Sequence, residues 1–205
     1  MKELVDRLKS LGVLRTPRII EAFLANDRKK FIPKEYQNEA YFDVPLAIGS
    51  GQTISQPYTV AFMMELLSPA LGQKILDIGF GSGWTAAILA HVVGAKGKVY
   101  GLEIVKEIFE LGEKNLKKFN YQNIELINKS GWEGFPAAAP FDRILVSAAA
   151  EDISEKLKNQ LAIGGIMIIP VGSAFSCALT RLEKKSESKF ETESYPGFAF
   201  VPFIK

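Results

Sequence analysis

The sequence is poor in cysteine and histidine. Among its 205 residues there is one of each, Cys177 and His91. A single cysteine cannot form an intramolecular disulfide, and these two side chains do not make a clustered ligand set for zinc. We therefore predict that the protein holds no metal. The low cysteine content also favours a reducing compartment, the cytoplasm.

The sequence also lacks long apolar runs and an excess of charge of one sign. No apolar segment approaches the ~20 residues that cross a bilayer, and the N-terminal segment MKELVDRLKS is charged, unlike a signal peptide. The formal net charge is +2, and Lys and Arg are dispersed apart from short clusters such as Arg28–Lys30. Without a basic stripe or a heptad repeat, we expect no membrane or nucleic-acid partner and a monomeric protein.

What the sequence does contain is typical of a globular domain. Hydrophobic residues make up 47% and charged residues 23% of the 205 residues, which is an ordinary composition and an ordinary length for one compact unit. We predict a single domain over residues 1–205, with helices in residues 1–70 and a sheet in residues 71–205.

The first part of the chain shows helical periodicity. Apolar positions recur through residues 5–11 and 19–24, and Thr16 followed by Pro17 is typical of an N-cap and a first helical position. The segment IGSGQTISQ, residues 48–56, is rich in glycine and polar residues and is predicted to be a loop. Pro57 is expected to begin a third helix that ends at Leu67.

From residue 74 onward, strands alternate with helices. The strand-like segments are KILDIG, KVYGLE, NIELIN, RILVSA and GIMIIPV, and the helical ones are WTAAILAHVV, VKEIFELGEKNLKKF and SEKLKNQLA. This alternation predicts an α/β fold, a mainly parallel sheet with helices on both faces. SCALTRLEK and KFETESYPGFAFVPF have no helix between them, so antiparallel strands joined by a turn at residues 184–189 should finish the sheet.

The most informative segment is KILDIGFGSGWTAAILA. An apolar strand ends in Asp77 and is followed by Gly79, Gly81 and Gly83 before an apolar helix begins. Glycines permit positive φ and let a ligand lie against backbone N–H groups at a helix N-terminus. A dinucleotide fingerprint would need glycine where this chain has Trp84, and no segment matches a Walker phosphate loop. The pattern predicts a pocket for another nucleotide-like ligand.

An acidic residue closes the next strand. Glu103, at the end of KVYGLE, can accept hydrogen bonds from both hydroxyls of a ribose. With the glycine loop it resembles the S-adenosylmethionine (SAM) site of the class I, Rossmann-like methyltransferases. Each acid also has a structural interpretation, Asp77 as a loop cap and Glu103 as a helix-start residue. The resemblance implies a SAM site made of Asp77, Gly79, Gly81, Ser82, Gly83 and Glu103, with Asp77 near the methionine amino group directly or through water.

Segments on both sides of the glycine loop carry a second resemblance. They are RKKFIP (28–33), AYFDVPLAIGSGQTISQPYTVAFMMELL (40–67), PFDRILVSAAA (140–150), QLAIGGIMIIPVG (160–172) and FVPF (200–203). In order and spacing, over nearly the whole chain, they resemble the protein-L-isoaspartate (D-aspartate) O-methyltransferase family. IGSGQTISQP is the most specific of these segments.

This resemblance implies a Rossmann-like methyltransferase with additional N-terminal helices and antiparallel terminal strands. It implies methylation of the α-carboxylate of L-isoaspartyl residues in damaged proteins or peptides, with S-adenosyl-L-homocysteine (SAH) as product. Ser55 matches the family's active-site serine and would hold that carboxylate, while Gln52, Thr53 and Ile54 would shape the substrate cleft. Without the family match, Ser55 would be interpreted as a turn or capping serine ahead of Pro57.

The chain departs from the family pattern after the strand NIELIN. The family usually has Gly-Asp-Gly there, with the aspartate near the adenine amino group, whereas this chain has Lys129, Ser130 and Gly131. A hydroxyl accepts that hydrogen bond without the charge assistance of a carboxylate, so we predict weaker SAM binding. Phe80 and Trp84 stand where family members often carry a small hydroxyl residue and a tyrosine, and we interpret them as packing residues.

Three other residues are interpreted as structural. His91 lies in an apolar helix, Asp142 begins a strand, and Cys177 lies in an apolar strand. None of them belongs to a catalytic motif such as G-x-S-x-G with a partner histidine. We therefore expect them to pack or cap within the fold.

Other functions are also compatible with the sequence. A relative dedicated to one peptide would methylate an aspartyl carboxylate; such relatives often carry further C-terminal domains, and this sequence ends after FVPFIK, which favours repair. A SAM-binding module without catalysis is favoured by Ser130 and disfavoured by the intact GSGQTISQP segment. A small-molecule carboxyl methyltransferase would instead act on free acids.

Overall fold

The N-terminal part of the chain is helical and contains one hairpin. In the computed structural model, which describes residues 1–174 and 176–204, the third α-helix has the predicted bounds. The elements are α1 (Lys2–Ser10), α2 (Pro17–Ala25), the 3-10 helices Arg28–Phe31 and Lys34–Glu39, β1 (Leu46–Gly49), β2 (Gln52–Ile54) and α3 (Pro57–Leu67).

The segment predicted to be a loop contains this hairpin. β1 and β2 pair antiparallel, with Ala47 opposite Thr53. Ser50 and Gly51 form the turn with φ values of 48° and 71°, and positive φ at both central positions is typical of a two-residue hairpin turn. The loop prediction was wrong because Ser-Gly is a weaker hairpin signal than Asn-Gly or Asp-Gly. The hairpin gives the following residue, Ser55, a defined position.

The rest of the chain forms one twisted sheet with connecting helices. Five parallel strands, β3 to β7, are extended by two antiparallel strands in the order β5-β4-β3-β6-β7-β8-β9. This confirms the predicted α/β architecture. The elements are β3 (Lys74–Ile78), α4 (Trp84–Val93), β4 (Lys98–Glu103), α5 (Lys106–Leu116), β5 (Ile124–Asn128), a 3-10 turn (Pro136–Ala138), β6 (Phe141–Val146), α6 (Glu155–Asn159), β7 (Leu161–Ser173), β8 (Ser176–Lys184) and β9 (Phe190–Phe198).

Two predicted boundaries differ from the structure near β7 and β9. The helix predicted over SEKLKNQLA ends at Asn159, because Leu161 already pairs with Phe141 of β6 and therefore belongs to the sheet. The last predicted strand ends at Phe198. Among the described residues beyond it, up to 204, only Pro202 makes an isolated bridge, to Ala149. The segment after β9 is thus a short extended strip beside the sheet.

Helices cover both faces of the sheet, but unevenly. Successive strand residues point to opposite faces, so Ile75 of β3 joins one hydrophobic core and Leu76 joins the other. The first core also contains buried side chains of α1 to α5, whereas Leu157 of α6 lies in the second. The N-terminal helices therefore pack onto the same core as the sheet.

The strand order reverses between β3 and β6. From β3 the chain proceeds outward to β4 and β5, and it then returns to place β6 on the other side of β3. Connections leave the carboxyl ends of these two neighbouring strands in opposite directions, which opens a crevice where ligands bind in α/β sheets. The glycine loop follows β3 and Ser147 follows β6, so both lie at this crevice.

The three residues interpreted as structural have structural surroundings. Asp142 accepts a hydrogen bond from the backbone N–H of Lys74 at 2.7 Å and thereby joins the beginnings of β6 and β3. Cys177 is buried, with 5% of its surface exposed. His91 is half-buried in α4 with Nδ1 3.5 Å from the hydroxyl of Tyr121.

The beginning of α2 is fixed by a residue of α3. Thr16 and Pro17 occupy the predicted N-cap and first helical positions, but the Thr16 hydroxyl makes no capping bond within α2. It donates instead to Glu65 Oε2 at 2.8 Å, while Glu65 Oε1 accepts from the backbone N–H groups of Arg15 and Thr16, each at 2.8 Å. One carboxylate therefore holds the entry of α2 against α3.

Replacing Glu65 with Ala should lower the free energy of unfolding by about 1–2 kcal/mol, because two backbone donors and one hydroxyl lose a charged acceptor. Urea denaturation is the measurement. Glu65→Gln keeps one oxygen acceptor and should lose less than half as much. Equal stability of Glu65→Ala and the unmodified protein would show that solvent replaces these bonds without loss.

Candidate active site

A cavity lies at the carboxyl ends of β3, β4 and β6. Its walls come mainly from six parts of the chain that are distant in sequence. They are the hairpin end (52–55), the glycine loop and first turn of α4 (79–82, Trp84 and Thr85), the ends of β4 and β6 (102–105 and 147–148) with Gly131, and the segment 201–204.

A second, wider cavity adjoins the first. It is lined by residues before and within the start of α3, by the end of β9 and by the strip after it, including Tyr58, Phe198 and Phe200. Four residues line both cavities, namely Thr53, Ser55, Ser147 and Val201. The two cavities therefore meet at three residues that carry a hydroxyl group and one aliphatic residue. A ligand in the second cavity can reach the first cavity at this junction.

The glycine loop has the backbone conformation that the sequence predicts. Gly79, Gly81 and Gly83 have φ values of 75°, 56° and 95°, which other residues rarely adopt. Their N–H groups, however, are used within the protein and donate to Leu102 O, to a Glu103 carboxylate oxygen and to Phe80 O. Gly83 is the N-cap of α4 and supplies no side-chain cap. The amides available to a ligand are therefore those of the first turn of α4 and not those of the glycines.

Glu103 lies on the cavity wall with both carboxylate oxygens oriented by backbone donors. Oε2 accepts from Gly81 N at 3.2 Å and Oε1 accepts from Val105 N at 3.0 Å. Burial raises the pKa of Glu103 and these backbone hydrogen bonds oppose the rise. Each oxygen can accept a further hydrogen bond, so the carboxylate is suited to a ligand with two adjacent donors.

Asp77 is completely buried behind the wall. The Thr85 hydroxyl, which lines the cavity, donates to Asp77 Oδ2 at 2.8 Å. Oδ1 has no hydrogen-bond partner among the described residues. Burial raises the pKa of Asp77 to about 7, the Thr85 hydrogen bond opposes this rise, and the charge of Glu103 adds to it. Asp77 is therefore connected to the cavity by its hydrogen bond with Thr85, a lining residue.

The charged groups at the site are acidic. The described residues that line the two cavities include Glu103 but no Lys, Arg or His, and two buried carboxyl groups with raised pKa values lie beside the glycine loop. No group of three or more potential metal ligands occurs among the described residues. A ligand with positive charge would offset the unfavourable burial of these carboxylates.

Ser130 and Gly131 are neighbours in sequence but have different surroundings. Gly131 lines the cavity, and a Cβ added to it would lie 2.2 Å from Cγ2 of Ile78, so no larger residue fits there. Ser130 is not among the lining residues. Its hydroxyl donates to the carbonyl of Ile204 at 3.3 Å and accepts from the backbone N–H of Trp132 at 3.2 Å. The hydroxyl thus connects the turn after β5 to the terminal segment.

The terminal segment 201–204 is attached to the end of β6. Ala149 N donates to Val201 O at 2.8 Å, and Phe203 N donates to Ala149 O at 2.8 Å. The ring of Phe203 lies 5.7 Å from that of Trp132, centroid to centroid. These contacts place the segment as one wall of the first cavity.

The hairpin end brings the predicted substrate residues Gln52, Thr53 and Ile54 to the cavity together with Ser55. Arg28, which is fully buried, donates through Nη2 to the carbonyl of Ser55 at 3.1 Å. On the other side, Asp43 accepts from the backbone N–H of Tyr58 at 2.8 Å and from the Gln56 side chain at 3.2 Å. Ser55 therefore lies between two anchored points.

Several of these contributors were not predicted from the sequence. Arg28 and Asp43 lie in the segments RKKFIP and AYFDVP, but nothing in those motifs indicates which carbonyls or amides they meet. Thr85 and Ser147 are single hydroxyl residues beside apolar runs. Phe80 and Trp84, interpreted as packing residues, are 3% and 1% exposed, yet each also has atoms on the cavity wall.

The raised pKa of Asp77 predicts a particular pH dependence of stability. Asp77 loses its proton near its ordinary value of 3.8 when unfolded and near 7 when folded, so the folded state binds more protons in between and loses stability as the pH rises from about 4 to 7. Asp77→Asn removes this ionisation. Its stability advantage over the unmodified protein should be roughly 1–3 kcal/mol larger at pH 8 than at pH 5, measured by urea unfolding without ligand.

Asp152→Asn, at an exposed aspartate, controls for the loss of one charge. A stability advantage of Asp77→Asn that does not depend on pH would contradict the raised pKa of Asp77.

Comparison with known proteins extends the similarity over the whole chain. The family model for protein-L-isoaspartate(D-aspartate) O-methyltransferase matches residues 1–205. A protein-L-isoaspartate O-methyltransferase of Methanopyrus kandleri is 44% identical over 204 residues, covering 99% of this chain and 90% of that protein. The corresponding protein of Methanosarcina mazei is 43% identical over 203 residues, covering 99% of this chain and 82% of its own length.

The fold of this chain is also similar to that of a solved structure. A crystal structure of a protein-L-isoaspartate O-methyltransferase from Plasmodium falciparum, in complex with S-adenosyl-L-homocysteine, superposes with a TM-score of 0.88 at 27% identity. The superposition covers 99% of this chain and 97% of that one. Since the match in sequence extends from the first residue to the last and is accompanied by the same fold, this chain belongs to the protein-L-isoaspartate(D-aspartate) O-methyltransferase family.

Proposed function

We propose that this protein is a SAM-dependent methyltransferase that esterifies the α-carboxylate of L-isoaspartyl residues in damaged proteins or peptides. Family membership supports the activity, since the curated relatives are named for it. The observation that carries the proposal is the junction at Ser55, where a cavity with acidic and glycine-rich walls meets a wider cleft. One ligand can lie in each cavity with their reacting groups facing each other.

The first cavity fits SAM by the chemistry of its walls. When bound, SAM supplies an electrophilic methyl group on a positively charged sulfur. Glu103, with one free lone-pair direction on each oxygen, would accept from the two ribose hydroxyls. Thr85, backed by Asp77, and the amides of Ser82 and the first turn of α4 would hold the amino-acid end, around the space that Gly79, Gly81 and Gly83 leave open. Gly131 would lie at the adenine end, with Ser130 beside it.

The second cavity suits an extended peptide that presents a carboxylate. A carboxylate is ionised at neutral pH, so attack on a methyl group needs no general base. The described lining contains no basic side chain that would pair with the carboxylate and reduce its nucleophilicity. Ser55 would orient the carboxylate with a neutral hydroxyl donor, and Gln52, Thr53 and Ile54 would shape the cleft around it. Catalysis would then depend on positioning and on exclusion of water.

Methyl esterification makes repair possible because the methoxy group of an ester leaves far more readily than an oxygen of a carboxylate. The neighbouring backbone nitrogen can displace the alcohol without the enzyme, which re-forms a succinimide. Hydrolysis of that ring gives normal aspartate in part, and the isoaspartyl fraction returns to the enzyme. The protein therefore needs to recognise only the abnormal linkage and can accept many proteins.

The wider biological setting is part of the same proposal. We place the enzyme in the cytoplasm as a monomer, acting as one domain over residues 1–205, with residues 1–70 supplying the helices and the substrate hairpin and residues 71–205 the SAM-binding sheet. The shared core of α1 to α5 and the sheet supports a single unit. In the described part of the chain, no helix combines the length and apolar character needed to cross a membrane.

The proposal is tested by transfer of labelled methyl from SAM to matched peptides that contain either L-isoaspartate or normal L-aspartate. We expect labelling of the isoaspartyl peptide alone. Ser55→Ala should reduce kcat/KM by about 10-fold or more, because a hydrogen bond to a charged group is lost. Ser188→Ala, at an exposed serine in the turn after β8, should leave the rate unchanged.

Calorimetry with SAM provides the control for this experiment, and Ser55→Ala should keep its SAM affinity. No labelling by a protein that binds SAM would contradict the repair activity and leave a dedicated acceptor or a binding-only protein. Labelling of both peptides, or of free carboxylic acids in preference to peptides, would also contradict it.

Ser130→Asp should tighten SAM binding, because a carboxylate is a stronger acceptor than a hydroxyl for the adenine amino group. Isothermal titration calorimetry is the measurement. Ser130→Ala is the matched control, since it removes the bond to the Ile204 carbonyl without adding an acceptor, and it should bind SAM no more tightly than the unmodified protein. Both variants lose the bond to Ile204, so a Ser130→Asp affinity no tighter than that of Ser130→Ala would place residue 130 away from the adenine.

A further inference from the structure

Ser147 lies at the point where the strand order of the sheet reverses. It directly follows β6, the strand that lies beside β3 where the strand order reverses. Its backbone N–H donates to the carbonyl of Ile78 at the end of β3, at 2.9 Å. This bond continues the strand pairing by one residue and fixes the Ser147 backbone at the crevice.

Ser147 lies at the junction of the two cavities. It is half-buried and lines both of them, as Ser55 does. A Cβ added to Gly79 would lie 3.7 Å from its Cβ, so the side chain lies against the glycine loop. Within the described part of the chain, no hydrogen bond involves the Ser147 hydroxyl. The fold therefore holds a hydroxyl at the junction and leaves it free to donate.

Resting on the proposed function, we propose that the Ser147 hydroxyl is a second donor to the acceptor carboxylate and acts together with Ser55. The two serines come from different walls, the hairpin end and the end of β6, and a carboxylate has two oxygens. One donor fixes only one oxygen and allows the group to rotate, whereas a donor on each oxygen defines its plane. Ser147 is thus a substrate-positioning residue that also selects for a planar carboxylate.

Two neutral donors suit the reaction better than one cation. One carboxylate oxygen forms a bond to the methyl carbon while the carbon–sulfur bond breaks, and the electron pair of that bond stays on sulfur, which becomes neutral. No proton is transferred. The product is a neutral ester, and hydroxyls bind a neutral ester with little penalty, whereas a buried Arg or Lys would be left without its partner.

The experiment uses Ser147→Ala, Ser55→Ala, the double variant and the exposed control Ser188→Ala. Binding of an L-isoaspartyl peptide and of the same peptide with an α-carboxamide is measured by calorimetry with SAH present, beside kcat and KM. Ser147→Ala should bind the carboxylate peptide about 10- to 100-fold more weakly, as expected for a hydrogen bond to a charged group. Its loss of affinity for the carboxamide peptide should be smaller, because a hydrogen bond to a neutral group contributes less, and it should bind SAH and SAM as the unmodified protein does.

The double variant tests whether the two hydroxyls act on one group. If they do, its loss in kcat/KM should differ from the product of the two single losses, since residues that share a partner are not additive. Ser147→Ala leaves the backbone bond to Ile78 intact, so its melting temperature should not change. If it falls, Ser147→Cys keeps the size with a much weaker donor and should show the same selective loss.

Each outcome decides the proposal. If the unmodified protein methylates the isoaspartyl peptide and Ser147→Ala is equally active and binds equally well, the role of Ser147 is refuted and the proposed function stands. Equal losses for carboxylate and carboxamide peptides, or a loss of SAH affinity, would also refute it by assigning Ser147 to cleft shape or to the cofactor. If the unmodified protein neither methylates nor binds the isoaspartyl peptide, both proposals fail.

Discussion

The arrangement of the site depends on the buried guanidinium of Arg28. It donates to the carbonyls of Ala40, Phe42, Val44 and Ser55 at 2.9–3.2 Å and lies 5.6 Å from the centre of the Trp84 ring. Burial lowers its pKa to about 10, and Asp43 opposes the change, so the group stays charged at neutral pH. A planar ion with five N–H donors can connect several carbonyls that have no regular secondary structure to pair with. Arg28 thereby joins the segment before the hairpin, the end of the hairpin and α4.

A second constraint is the negative character of the cavity. Asp77 and Glu103 are buried together, with pKa values raised by burial, and the described lining provides no cation to offset them. Such a site is less stable without a ligand than an apolar one would be, and it gains most from a ligand that carries positive charge. The same absence of cations leaves an acceptor carboxylate unpaired. Cofactor selectivity and acceptor reactivity therefore have one physical origin, the restriction of basic residues to other parts of the molecule.

Local signals predicted much of the fold, and long-range contacts account for what they missed. Helix α3 has its predicted bounds because Pro57 marks its first position, and β3 with its glycine loop follows from an apolar run with a fixed glycine spacing. The hairpin was missed because its turn depends on the φ of Ser50, which the sequence indicates weakly. The surroundings of Arg28, Ser130 and Ser147 depend on segments far away in the chain. Resemblance could suggest that these positions matter, but only the assembled sheet shows which atoms they meet.

The wall formed by residues 201–204 is less stable than the sheet against local opening. That segment is held mainly by the two backbone bonds at Ala149, the Ser130–Ile204 bond and the contact of Phe203 with Trp132. Of its described residues, Phe203 packs against the second hydrophobic core, while most of both cores lies in the helices and the sheet, so local opening there requires less free energy than global unfolding. A molecule can therefore lose its binding site while its helices and strands remain intact. In a population of ageing enzyme, inactive copies with an open wall and an intact sheet would precede unfolded ones.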